Sequence, residues 1–348
     1  MRFRRISACL DLRGCPNRCR HCWLGVTPNG RLPASALEYV ADQFRPYADG
    51  LEVFDWYREP DYGDDYRALR ALCARLSDGQ TPHFELVSVW RLVRDDAYAG
   101  WLSSLGLKAA QLTLFGGEET TDLYTGRRGA YREILRAIDL LIAQGIAPRI
   151  QVFVNKGNLS ELEHVERLIQ RLDLARRCES FGGAFSCFVH QGSCAGENEQ
   201  FYDAWLTPED LDRIPASLAA YTRMHFQKAS LAEVFGRTEQ SLCEALAADR
   251  STKSLVSDSP VFYVDKDFDV YPNLSAPAPH WRLGNLKADG AKAVLETYAQ
   301  SRSVAQRVRL SVPLCDLAAS QGRRDSNRLF SRGDYIEWLL NRYCREIA

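Results

Sequence analysis

Short apolar runs alternate with stretches of helical period through the first half of the chain, the pattern of parallel βα units. Strands are predicted over residues 6–12, 51–56, 84–90, 110–115, 149–154 and 184–190. Helices are predicted between them over 34–47, 64–76, 96–105, 130–144 and 159–172. The first follows Pro33 and puts Leu37, Val40, Ala41 and Phe44 on one face; Gly145 ends the fourth in the position that favours a left-handed residue. Six such units predict an α/β fold, a partial (β/α)6 barrel of TIM type with its chemistry at the C-terminal strand ends. Helices over 207–249 then read as a cover or linker. The period changes at 260–273 to that of a hairpin turning at Asp265-Lys266-Asp267, with helices at 291–298 and 334–347 to follow. The expected division is a barrel over 1–205, a helical segment over 206–255, and a small α+β domain over 256–348.

Composition narrows the class. The 348 residues are 46% hydrophobic, enough to fill a sizeable core. A net charge of −1 provides no basic field for nucleic acid. No apolar run reaches the roughly 20 residues that span a bilayer, and the basic N-terminus has no signal-peptide apolar region. Eleven cysteines without a secretion signal place the chain in a reducing, cytoplasmic setting where thiols stay free or bind metal.

The concentrated chemistry lies at the end of the first predicted strand. Cys15, Cys19 and Cys22 are spaced C-x3-C-x2-C, with His21 just before the last thiol. Three close thiolates can hold three irons of a [4Fe–4S] cube and leave the fourth iron a free position. The competing reading is a zinc knuckle of these cysteines with His21 or Cys9. Zinc motifs usually come as two separated pairs, and the sequence has no second pair.

With its flanking Pro16, His21 and Trp23, the motif resembles the signature of the radical S-adenosylmethionine superfamily. That resemblance implies a [4Fe–4S] cluster, S-adenosylmethionine, and an external one-electron donor such as flavodoxin or ferredoxin. It also implies reductive cleavage of the cofactor to a 5′-deoxyadenosyl radical that abstracts hydrogen from substrate. Tyr57-Arg58-Glu59-Pro60 stands where the family carries Gly-Gly-Glu-Pro, so Glu59 is expected at the methionyl ammonium, with Tyr57, Arg58 and His21 beside the cofactor. Gly116-Gly117-Glu118 looks similar but follows the wrong strand. Ser88, Thr113, Glu119 and Gln151, on or after later strands, are candidates for the cofactor's carboxylate and ribose.

Residues 112–162 and the hairpin Phe268–Asn273 with Arg282–Asn285 resemble the branch carrying a SPASM or twitch extension. The C-terminal domain is therefore expected to be twitch-like. Asn273 occupies the position of a family cysteine, so loss of the usual auxiliary cluster is expected. The stretch before Cys15 is too short for a cobalamin domain or a winged-helix leader reader. A small polar substrate of specialised metabolism, such as an antibiotic precursor, is expected instead: a sugar, nucleoside or aminocyclitol.

Cys187 and Cys194, near the predicted barrel mouth, are candidate hydrogen donors for an epimerisation. Dehydration or oxidation would need no thiol. Sulfur insertion would need a second cluster built from the spare cysteines. An iron–sulfur carrier or scaffold is the reading from another class, and it leaves the Glu59-Pro60 turn unexplained.

Overall fold

The computed structural model describes residues 2–25, 32–55, 58–79, 85–272 and 277–347. Tyr57 and Asn273, and the readings resting on them, lie outside those residues. The chain begins with β1 (Phe3–Leu10), α1 (Ser35–Phe44), β2 (Ala48–Asp55), α2 (Tyr66–Leu76), α3 (Val89–Leu92) and α4 (Tyr98–Ser104). Then come β3 (Ala109–Leu114), α5 (Glu118–Thr125), α6 (Ala130–Ala143), β4 (Ala147–Phe153), α7 (Leu162–Arg171), α8 (Leu174–Glu179) and β5 (Ser186–His190). Strands β1 and β2 pair in parallel, as do β3, β4 and β5 in that order. This is the α/β architecture of a partial, TIM-like barrel.

The predicted third strand is the main local correction. Among its described residues only Leu86 pairs, through a single parallel bridge to Gln111, and residues 89–92 turn into α3. Ser88 explains the switch: its hydroxyl accepts the Arg91 amide at 3.1 Å, an N-cap that starts a helix inside an apolar run. The loop predicted after the fourth strand also gains a helix, α5, which Gly126 ends at φ 65°.

The second half adds α9 (Pro208–Leu211), α10 (Ala216–Phe226), α11 (Leu231–Phe235), β6 (Arg237–Thr238), α12 (Glu239–Leu246), β7 (Val261–Val264), β8 (Asp269–Tyr271) and β9 (Gly284–Asn285). Helices α13 (Gly290–Ala299), α14 (Val304–Ser311) and α15 (Leu314–Gln321), strand β10 (Leu329–Phe330) and helix α16 (Arg332–Ile347) complete it. The hairpin β7–β8 forms as its pattern predicts. Its first strand also pairs in parallel with β1, from Ser7↔Val261 to Leu10↔Val264, so the hairpin extends the barrel sheet.

Alternation along the strands sorts side chains into layers. Ala110, Leu112, Leu114, Ile150, Val152, Cys187 and Val189 pack outward against α4, α6 and α7. Ile6, Ala8, Leu10, Leu51 and Val53 pack against α1, α2 and α13. The intervening residues, including Gln111, Thr113, Phe115, Gln151, Phe153 and His190, line the concave face. Among the described residues no helix is long and apolar enough to cross a membrane.

Candidate active site

The loop after β1 is held from two sides. Arg18 and Arg20 donate their amides to the carbonyls of Thr125 and Tyr124, at 3.0 and 2.8 Å, at the end of α5. On the other side, the Cys22 carbonyl accepts the Glu197 amide at 2.9 Å. Two glycines permit this approach. A Cβ on Gly126 (φ 65°) would lie 2.5 Å from the Arg18 carbonyl, and one on Gly196 (φ 55°) 2.6 Å from those of Cys22 and Trp23. Gly196→Ala should therefore leave the circular dichroism native and lower the iron bound per chain on reconstitution. Wild-type iron in a folded variant would show that the clamp does not shape the loop.

Cys15, Cys19 and Cys22 line one end of a cavity of ≈ 720 Å³. Burial pushes all three thiols up; a neighbouring thiol and the Glu59 carboxylate add to the shift at Cys15 and Cys19, and Glu197 adds to it at Cys22. Such thiols ionise only when a cationic centre joins them. Among the described residues no three Cys, His, Asp or Glu side chains close on one metal ion. The Asn17 amide points at Cys15 Sγ at 3.4 Å, a contact that tunes cluster sulfur. The donor set fits a [4Fe–4S] cluster held by three cysteines. His21 packs its ring 4.6 Å from Phe115 and 4.5 Å from Phe153. Burial lowers its pKa to about 3, so it is neutral, and its Nδ1 has no partner.

Arg58 and Glu59 line the same cavity beside the thiols. Arg58 Nη2 lies 2.8 Å from Asp11 Oδ2. Glu59 accepts the Ser88 hydroxyl at 2.8 Å. Burial raises its carboxyl to about 7, against the Ser88 bond and the Arg127 charge. A half-buried carboxyl that lines the cavity is suited to receiving a cation. Glu118, by contrast, is 43% exposed and pairs with Arg132 at 2.8 Å, outside the cavity.

Further along the wall, Thr113 and Gln151 face inward at paired positions of β3 and β4, and Gln151 Oε1 accepts from Gln111 Nε2 at 2.6 Å. Four of the expected residues lie outside the cavity lining. Ser88 is fully buried and not in the cavity lining, holding Glu59 instead of facing a ligand. Glu119 lies on the exposed side of α5, away from the lining, because a helix replaces the predicted loop. Cys187 sits on the outer face of β5, opposite Ile150, with its side chain in the helix-facing core. Cys194 is buried in a separate apolar cluster with Cys9, Leu24, Phe153 and Cys243, and it too is absent from the lining.

Several lining residues escaped the sequence reading. Arg127 donates from Nε to Asn17 Oδ1 at 2.7 Å, tying α5's far end to the cysteine loop. His190 and Ser193 also line the cavity; Ser193 donates to Asp334 Oδ1 of α16 at 2.9 Å. The alternation that puts Cys187 outside puts His190 inside, and that parity was the available signal.

Residues 10–172 match the model of the Radical SAM superfamily. No curated protein matches the chain. Among solved structures, native anSMEcpe with bound AdoMet aligns with a TM-score of 0.53 at 16% identity, covering 99% of this chain and 100% of that one. The same protein with bound AdoMet and the Kp18Cys peptide gives 0.52 at 15% identity, covering 98% and 99%. At such identities the likeness speaks for the fold, and it extends over nearly the whole chain. Residues 10–172 are thus a Radical SAM superfamily domain, and through that domain the chain is an enzyme that uses a [4Fe–4S] cluster and S-adenosylmethionine.

Proposed function

We propose that this enzyme removes a hydrogen atom from a small polar substrate, a sugar, nucleoside or aminocyclitol, and carries it on to a dehydrated or oxidised product. The observation behind this reading is the cavity: ≈ 720 Å³ running from the three thiols past Glu59 to Gln111, Thr113, Gln151, His190 and Ser193. The cluster and the cofactor share that volume, so the room left suits a compact substrate, and the lining includes hydroxyl, amide and imidazole groups. When bound, the cluster and cofactor supply the hydrogen-abstracting radical, fed by an external one-electron donor of the flavodoxin or ferredoxin kind.

The chain's own groups divide the remaining work. Glu59 takes the cofactor's ammonium, kept in place by Ser88. Thr113 and Gln151 offer hydrogen bonds to ribose hydroxyls. His190 Nδ1 accepts the Gly192 amide at 3.1 Å, so in the neutral ring Nε2 carries the proton, the donor it can offer a substrate oxygen. Apolar Phe115, Phe153, Val87 and Ile134 line the cavity and keep water out. Cys187 and Cys194 are absent from the lining, which argues for an outcome needing no protein thiol. Sulfur insertion would need spare cysteines at the cavity, and Cys187 and Cys194 lie outside its lining. A reducing, cytoplasmic setting suits eleven free thiols.

The test is isotope transfer. Reduced, reconstituted enzyme is given S-adenosylmethionine with deuterated sugars, nucleosides and aminocyclitols. Deuterium should enter 5′-deoxyadenosine from one of them; an oxidised product, formed as the substrate radical gives up one electron and one proton, should carry no solvent deuterium, whereas a dehydrated one closes with one electron and one solvent proton. Cys187→Ala should turn over as the wild type does. Transfer from a peptide alone would overturn the reading; anSMEcpe holds such a ligand, the Kp18Cys peptide.

A further inference from the structure

Asp11 is the first residue after β1, and its carboxylate has two separate partners. Oδ1 accepts the amide of Gly14, the residue before Cys15, at 2.7 Å. Oδ2 accepts from Arg58 Nε at 2.9 Å and lies 2.8 Å from Nη2. Gly14 adopts φ 74°, so the chain turns sharply around this carboxylate immediately before the first thiol. Arg58 immediately precedes Glu59, and both line the cavity. One side chain thus spans the loop that carries the cysteines and the turn that carries Glu59, 47 residues away.

The pair is almost closed to solvent, with the Arg58 and Asp11 side chains 7% and 10% exposed. A nearly buried guanidinium needs a compensating anion. Arg58 lines the cavity together with Cys15 and Cys22, whereas Glu59 accepts the Ser88 hydroxyl at 2.8 Å. The two adjacent charged residues therefore serve different neighbours.

We infer that Asp11 is a positioning residue that holds Arg58 against the cysteine loop, which sets a cation beside the cluster ligands and keeps Glu59 open for the cofactor's ammonium. This rests on the reading of Glu59 given above. In Asp11→Asn the guanidinium loses this anion, and the carboxylate of the next residue, Glu59, lines the same cavity. Pairing there would occupy the ammonium's seat.

The experiment uses anaerobically reconstituted full-length protein. It reads iron per chain, S-adenosylmethionine affinity by equilibrium dialysis, and the change that S-adenosylmethionine makes in the reduced cluster's paramagnetic resonance spectrum. Asp11→Asn should weaken cofactor binding at least tenfold and shrink the spectral change. Removing the stray cation as well, in Asp11→Asn with Arg58→Met, should restore part of both. A purely structural role would instead make the double variant worse than the single one.

Wild-type affinity in Asp11→Asn, or a double variant weaker than Asp11→Asn, overturns the inference. Should Asp11→Asn fail to take up iron, recovery of iron in the double variant supports the inference and continued failure overturns it. Glu59→Gln, measured alongside, separates the two claims. Normal affinity in that variant defeats the Glu59 reading, while weakened Glu59→Gln beside normal Asp11→Asn defeats only this one.

Discussion

Replacing Cys15, Cys19 and Cys22 together with alanine should abolish iron binding and all cleavage of S-adenosylmethionine. Wild-type protein reconstituted without oxygen should hold about four irons per chain, as a three-thiolate cube does. Among the described residues the three thiols are the cavity's only cysteines, and burial pushes each toward its neutral form. With them gone, no other side chain on the loop can take their place, because His21 is pinned between two phenylalanines. The circular dichroism should remain native, since the outer packing of β1 depends on Ile6, Ala8 and Leu10 and not on the loop. Iron and the absorbance near ~400 nm that a cubane gives are the readouts. Four irons left in the triple variant would reveal a second cluster and reopen sulfur insertion. Stoichiometric zinc in unreconstituted wild type would defeat the cluster assignment itself.

Glu59→Gln should weaken S-adenosylmethionine binding by about 1.5–3 kcal/mol, or roughly 10- to 150-fold in affinity, the worth of a charge-assisted hydrogen bond. The amide keeps the shape and can still accept the Ser88 hydroxyl, so the variant removes charge and little else. Glu118→Gln is the control. Its side chain is 43% exposed and paired with Arg132, where loss of an ion pair costs about 0–1 kcal/mol of stability. Cofactor affinity should not follow it. Calorimetric titration of both reconstituted variants settles the order. A larger effect at Glu118 would mean that the motif had been assigned to the wrong strand.

The barrel's strands were legible because each is a short apolar run, and such runs carry their own signal. Even so, 84–90 shows the limit: Ser88 capped a helix that the apolar pattern concealed. The cysteine loop was legible for another reason. Cluster ligands that share one loop are neighbours in sequence, so their spacing describes their geometry.

Ligands drawn from different strands carry no such spacing. Cys187 was expected at the mouth from its place near a strand end, yet a one-residue step decides which face a side chain takes. That same step brings His190 into the cavity.

By itself, then, the sequence determined what local physics encodes: parallel βα units, the hairpin Tyr263↔Tyr271, the three-thiol loop and the Glu59-Pro60 turn that follows β2. Only the tertiary structure decided which elements meet. It joined β7 to β1, pressed Gly126 and Gly196 onto the cysteine loop, and brought Asp11 to Arg58. The reason is that pairing between distant segments depends on close approach and on the burial of charge. Both are properties of the packed chain, and neither leaves a period or a spacing to read beforehand.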